Sequence, residues 1–353
     1  MDESGNMRAA FLTEIHRYEL GEKEPPALGP EDLRVRIHSS AICGTDLAIW
    51  AGKQPGLRLP IVGGHEATGV VEEVGPEVVK FHPGDRVVLN PTEFCGKCHY
   101  CRRGLETLCE MGGMRGREVS GTYSDYVVVH ENLAYGFPDT IDFDAGTNFI
   151  ALYTVIYGQR KLPHLTGKSV VVLGQGVTGL LHTQLARHSG AGPVIAVARS
   201  PWKLDLAKGL GATDTVCARE KDPLEEVLRL TDGRGADIVI ESAGAPESIR
   251  QSFEMVRPAG TILQFGIGPK TVDSIPVQEF YFKDLTVVGC RAGLPEDFEM
   301  AIKLVAAGHI DLRPTITDHF PLDEIQKGFE HVEKGEGKTL RAVIDIASWR
   351  PEL

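Results

Sequence analysis

The stretch KSVVVLGQGVTGLLHTQLARHSG, residues 168–190, runs from an apolar β-type segment through Gly174-x-Gly176-x-x-Gly179 into an amphipathic helical pattern that opens at Val177. Each glycine has a separate task in this setting. Gly174 permits the tight turn, Gly176 lets a pyrophosphate approach the backbone, and Gly179 lets helix and strand pack closely. The helix start then presents unpaired N–H groups to phosphate oxygens. Alone the spacing is weak, because glycine is common here (40 residues). Its position between a strand and a helix is what turns it into a dinucleotide-binding signature.

Downstream, the same alternation repeats: PVIAVA then PWKLDLAKGLG, DTVCA then DPLEEVLRLTDG, ADIVIESA then PESIRQSFEMV, then GTILQFG and DLTVVGC. Continuous Val/Ile runs alternating with helices predict a doubly wound α/β domain whose parallel sheet is covered on both faces. Upstream, the chain reads as short strands divided by Gly and Pro: RAAFLT, LRVRIH, ATGVVEEVG, DRVVLN and SDYVVV. That pattern predicts a β-rich domain of barrel or sandwich type. After residue 290 come a helix, PEDFEMAIKLVAAG, and a closing strand, TLRAVIDI, a tail expected to return to the first domain. No internal repeat or low-complexity segment interrupts this order.

A nicotinamide dinucleotide bound at such a fold usually gives its adenosine ribose to a carboxylate about twenty residues past the glycines. Here Ala198 stands at that place, followed by Arg199, Ser200 and, a turn later, Lys203. An arginine beside a hydroxyl suits a 2′-phosphate, so NADP is favoured over NAD. The alternative is that Arg199 is a solvated surface residue and NAD binds without the carboxylate.

In the first domain, Cys95, Cys98, Cys101 and Cys109 lie in PTEFCGKCHYCRRGLETLCE. Thiolates so spaced can close a tetrahedron around zinc, and four filled positions mark the ion as structural. Disulfides are the alternative. Cys43, Cys217 and Cys290 are scattered, and MDESGN lacks the basic-then-apolar order of a signal peptide, so zinc and a reducing, cytoplasmic location are expected. Those first residues read as a frayed extension. A length of 353 residues predicts two domains, and a net charge of -12 without a block of Lys or Arg argues against nucleic acid and membrane as partners.

Two further motifs carry metal-competent side chains, Cys43-Gly-Thr45-Asp46 and Gly64-His65-Glu66. Either residue alone reads as a buried Cys or a hydrogen-bonded core His. Together, thiolate, imidazole and carboxylate form a zinc set with room for a water or substrate oxygen. The combination AICGTD, GGHEATGVVEEVG, PGDRVV, the four-cysteine run and the late Gly-x-Gly-x-x-Gly resembles the zinc-containing alcohol dehydrogenases of the medium-chain dehydrogenase/reductase family, in its polyol-dehydrogenase-like branch. The likeness spans nearly the whole chain.

That resemblance implies a GroES-like catalytic domain (residues 1–150 and 289–353, zinc lobe 91–113), a Rossmann domain (151–288) and an active site in the cleft between them. It implies that Cys43 and His65 bind catalytic zinc, that Glu66 sits beside the metal and can replace a ligand, and that Thr45 passes the substrate proton. Asp46 would steady His65, and Arg341 would approach the cofactor phosphates. A homodimer or homotetramer is implied, with DLTVVGC as its seam. Two departures stand out. Ile150 occupies the place of a third zinc cysteine, and Ala48 that of a relay histidine.

The expected reaction is hydride transfer between a secondary alcohol and the nicotinamide, with a polyol, sugar or cyclitol suggested by the polar Asn148, Glu66 and Tyr153. A zinc-independent NADPH reductase of activated double bonds or quinones is the alternative on the same fold. A nucleotide-binding scaffold or sensor without turnover is a third reading, opposed by the retained metal set.

Overall fold

Val170–Leu173, the strand that ends at Gly174, is buried at every residue in a computed structural model that describes residues 5–54, 56–335 and 337–347. The first four residues of the expected N-terminal extension lie outside that set. The strand is central in a six-stranded parallel sheet, ordered Asp214–Cys217, Val194–Ala198, Val170–Leu173, Ala236–Glu241, Val256–Gln264, Thr286–Gly289. Because successive strand residues point to opposite faces, one sheet builds two cores. Val170, Val172, Ile238 and Ile240 pack on one side, and Val171, Leu173, Ile195 and Val239 on the other. That double burial is why the strands read as unbroken apolar runs. The chain order reverses between Val170–Leu173 and Ala236–Glu241, where sheets of this type bind ligands at the carboxyl ends of their strands.

The other compact unit comprises residues 1–150 and 312–353. Asp32–Ala41 is the spine of its seven-stranded sheet, pairing antiparallel with Glu66–Val74, Tyr126–His130 and the closing strand Ala342–Asp345. A three-stranded sheet of Met7–Glu14, Arg17–Lys23 and Ile61–Val62 and a two-stranded one of Thr92–Glu93 and Gly113–Met114 accompany it. Leu12, Val35, Ile37, Trp50, Tyr123 and Phe329 fill the core between them. The tail does return to this unit, but from Leu312, not from residue 289. The helix Pro295–Ala306 belongs to the dinucleotide unit. Its Asp297 accepts from Arg160 at 2.6 Å and its Phe298 stacks on Tyr153 at 4.0 Å, contacts that no local pattern reveals.

No helix among the described residues is long and apolar enough to cross a membrane.

Candidate metal centre and dinucleotide cradle

Cys43 lies two residues past the strand Asp32–Ala41 and begins a helix. It is the N-cap of Gly44–Trp50, and its backbone N–H donates to Asp46 Oδ2 at 2.9 Å, closing a capping box. The other oxygen of Asp46 meets His65 Nδ1 at 3.0 Å. One carboxylate thus fixes both the helix start that carries the thiol and the imidazole. With Nδ1 engaged, Nε2 is the nitrogen left for a ligand. His65 and Glu66 come next to each other at the entry to Glu66–Val74, and both are buried, at 4% and 3% exposure.

A thiol sulfur, an imidazole nitrogen and a carboxylate oxygen from Cys43, His65 and Glu66 lie within 4.8 Å of one another. Zinc bonds of about 2.0–2.3 Å fit a set that close, so the donors present suit the ion. The electrostatics agree. Burial works against charge on both groups, yet hydrogen bonding and charge from His65 draw the Cys43 thiol below its ordinary range. Asp46 and Cys43 likewise outweigh burial to hold the His65 imidazolium up to about 10. The site is therefore built to stabilise a thiolate beside a positive charge, which a metal ion can supply once the imidazole loses its proton.

Arg341 lies in this same site. Resemblance sends it to the cofactor phosphates, whereas its Nη1 ion-pairs with Glu66 Oε2, both side chains being 4% exposed. Its Nε is buried without a partner among the described residues. Glu66 Oε1 has no hydrogen-bond partner among the described residues, and Arg341 balances the carboxylate's charge. Thr45 is half-buried with no hydrogen-bond partner for its hydroxyl among the described residues. Ile150 is buried at 3% and offers no donor. Asn148 is wholly buried, and its amide donates to Thr315 Oγ1 at 3.0 Å, so it serves the core of its unit. Tyr153, packed on Phe298, is also core. The polar surroundings expected from Asn148 and Tyr153 therefore reduce to Glu66 and its charged neighbours.

The four-cysteine lobe stands apart from this site. Cys95, Cys98, Cys101 and Cys109 place their sulfurs within 4.8 Å of one another, with 3.5 Å between Cys98 and Cys101 and 4.0 Å between Cys98 and Cys109. A disulfide needs about 2.05 Å, whereas a tetrahedron of Zn–S bonds near 2.3 Å puts sulfurs about 3.8 Å apart. Backbone N–H groups of Cys95, Cys98 and Cys101 point at neighbouring sulfurs, which favours thiolates. Such donors hold Cys98 down to about 6, while burial and its neighbours push Cys101 up to about 12.

In the parallel-sheet unit, a side chain at Gly174 (φ +90) would stand 2.8 Å from Ala243 Cβ, and one at Gly179 would strike the Gly174 carbonyl at 1.9 Å. Only Gly176 faces open space, the room that a pyrophosphate needs against the helix Val177–His188. At the end of Val194–Ala198, Arg199 is exposed and without a partner for its guanidinium among the described residues. Ser200 caps the next helix without a side-chain bond. Burial, and then Arg199, lowers the Lys203 ammonium below the ordinary lysine range, so the two cations are close. The arrangement fits an anionic group on the ribose.

The zinc-binding dehydrogenase profile matches residues 177–307, and the alcohol dehydrogenase GroES-like domain matches residues 29–139. The chain is 32% identical to D-xylulose reductase A of Aspergillus niger, over 95% of this chain and 97% of that one. It is 34% identical to L-threonine 3-dehydrogenase of Pyrococcus abyssi, over 90% and 92%. A protein of Sinorhizobium meliloti 1021 solved with NADP bound superposes with a TM-score of 0.91 at 31% identity, covering 97% of this chain and 99% of that one. With its two folding units, metal-competent cysteines and glycine cradle, the chain belongs to the zinc-containing alcohol dehydrogenases of the medium-chain dehydrogenase/reductase family.

Proposed function

We propose that this enzyme oxidises a secondary hydroxyl of a polyol, sugar or cyclitol, with NADP as the hydride acceptor and zinc at Cys43, His65 and Glu66. The observation that carries the reading is the convergence of those three donors within 4.8 Å, with His65 already oriented by Asp46. The xylulose reductase relative supports a polyol, and the NADP-bound structural relative and the free Arg199 support the phosphorylated cofactor.

Zinc held there would lower the pKa of a substrate hydroxyl toward neutrality. Bound NADP would take the hydride from the carbinol carbon. The chain's own residues do the rest. Asp46 keeps His65 Nε2 turned toward the donors, and hydrogen bonding and charge from His65 draw the Cys43 thiol below its ordinary range. Thr45 accepts the proton of the substrate hydroxyl and hands it to water, since Ala48 supplies no imidazole for a longer relay. Glu66 either ligates through Oε1 or stays with Arg341. The buried Ile150 favours a second reading, the zinc-independent reductase, and metal content separates the two. Two zinc ions per chain with NADP reduction by pentitols or hexitols support the dehydrogenase, and one zinc with no such turnover overturns it. Arg199→Gln is expected to reduce the preference for NADP over NAD about ten-fold, the loss of one charge-assisted contact.

We also propose that copies of the chain assemble along Thr286–Gly289. That strand closes the six-stranded sheet as an unpaired edge, with Val287, Tyr281 and Phe282 exposed nearby. Light scattering on Val287→Lys checks it, with a monomer as the expected product.

A further inference from the structure

The strand Ile61–Val62, which runs on into Gly63, Gly64 and His65, forms one wall of a cavity of about 540 Å³. Lys23, Arg58 and Arg117 line it, against the single carboxylate of Glu118. That carboxylate is already committed, taking Arg117 Nε at 2.5 Å and the Met114 amide at 2.9 Å. Lys23 Nζ donates to Ser120 Oγ at 3.2 Å and meets no carboxylate among the described residues. Arg58 has neither hydrogen bond nor ion pair there.

Other arginines of the chain are paired, although Arg199 too has no partner among the described residues. Arg8, Arg115, Arg160 and Arg257 each find a carboxylate within 2.7 Å, as expected in a chain of net charge -12. Lys23 and Arg58 thus line the concavity with no carboxylate of their own among the described residues, and burial pushes the Lys23 ammonium below the ordinary lysine range.

The wall strand of the cavity leads to His65 along the backbone. Val62 O accepts from Gly121 N at 2.8 Å and Gly64 O from Thr122 N at 3.0 Å. A Cβ on Gly116, the residue before Arg117, would come within 2.9 Å of Gly64 N. Three peptide units separate Val62 from His65, so their Cα atoms stand at most about 11 Å apart.

We propose that this cavity is a subsite for an oxyanion, a carboxylate or phosphate ester carried by the substrate whose hydroxyl is oxidised beside Cys43 and His65. The link to turnover rests on the proposed function, whereas anion binding stands by itself. Planar guanidinium forks on Arg58 and Arg117 suit either anion, and Lys23 adds a point charge.

Calorimetric titration of the zinc-loaded protein with inorganic phosphate, and separately with acetate, tests it at low ionic strength. A saturable site for at least one anion is expected. Arg58→Gln and Lys23→Gln should each weaken it about ten-fold or more, while Arg103→Gln in the cysteine lobe binds as wild type. Phosphate alone identifies a phosphate ester as the occupant, acetate alone a carboxylate, and both together the shared oxyanion chemistry. No saturable binding by the wild type, or equal binding by R58Q and K23Q, overturns the proposal. The titrations need no turnover, so a failure of polyol oxidation and a failure of the subsite are separate results.

Discussion

The cysteine lobe and the Cys43–His65–Glu66 set both gather metal donors, yet they are assembled in opposite ways. The lobe draws all four sulfurs from one stretch, Cys95 to Cys109, and its own backbone N–H groups point at them. The second set takes a thiol from a helix N-cap and two donors from a strand entry, then ties them to Asp46 and Arg341 in a buried charge network. A site whose donors are neighbours in sequence folds around its metal. One whose donors come from separate elements is held by the fold first and can spare positions for chemistry. The lobe should therefore govern stability, and the second set turnover.

The largest effect is expected where the lobe is broken. Structural zinc contributes about 10–16 kcal/mol of apparent binding energy in small zinc-folded peptides, and a three-sulfur lobe forfeits much of it. Cys101→Ser should lose one zinc per chain, expose residues 95–109 to protease and lower the melting temperature. If full-length Cys101→Ser melts as the wild type does, the lobe is not a metal-folded unit. Next in size, Cys43→Ser should reduce kcat/KM on the order of 10³-fold or more, several kcal/mol of lost hydroxyl activation, with an unaltered melting curve. A matching loss of stability would erase the contrast between the two regions.

Arg341→Met sharpens the comparison from inside the second set. In zinc-depleted protein it leaves the Glu66 carboxylate buried and unpaired, a cost of about 3–5 kcal/mol read by chemical denaturation. The cost should shrink when zinc is restored, provided that Glu66 ligates, and in Glu66→Gln/Arg341→Met it should largely disappear. An equal cost with and without zinc would show that Glu66 stays with Arg341. The smallest effect belongs to Asp46→Asn, which preserves shape but weakens the hold on His65. Zinc affinity measured against a competing chelator should fall about 10–100-fold, with the lobe zinc retained.

How much of this was legible in the sequence depends on how far apart the interacting residues are. The parallel sheet announced itself because both faces of Val170–Leu173 and Val194–Ala198 are buried, which leaves continuous apolar runs. Gly174 and Gly179 were readable because turn and packing constraints act within six residues. The cysteine lobe was readable for the same reason. By contrast, the helix Pro295–Ala306 follows the last sheet strand as a tail would, and only Asp297 and Phe298 show which unit it joins. Tyr153 and Asn148 looked like polar site residues, because polarity in a sequence does not say which way a side chain faces.

From the sequence alone came the two domains, the glycine cradle, the four-cysteine spacing and the candidacy of Cys43, His65 and Glu66 as metal donors. These rest on local geometry: hydrophobic period, turn sterics and short ligand spacing act between near neighbours. Tertiary structure alone decided that Arg341 answers Glu66 across 275 positions of chain, and that Lys23, Arg58 and Arg117 share one cavity without a free carboxylate. Charges interact through space, so who balances whom is settled only when folding brings distant segments together and removes the water between them.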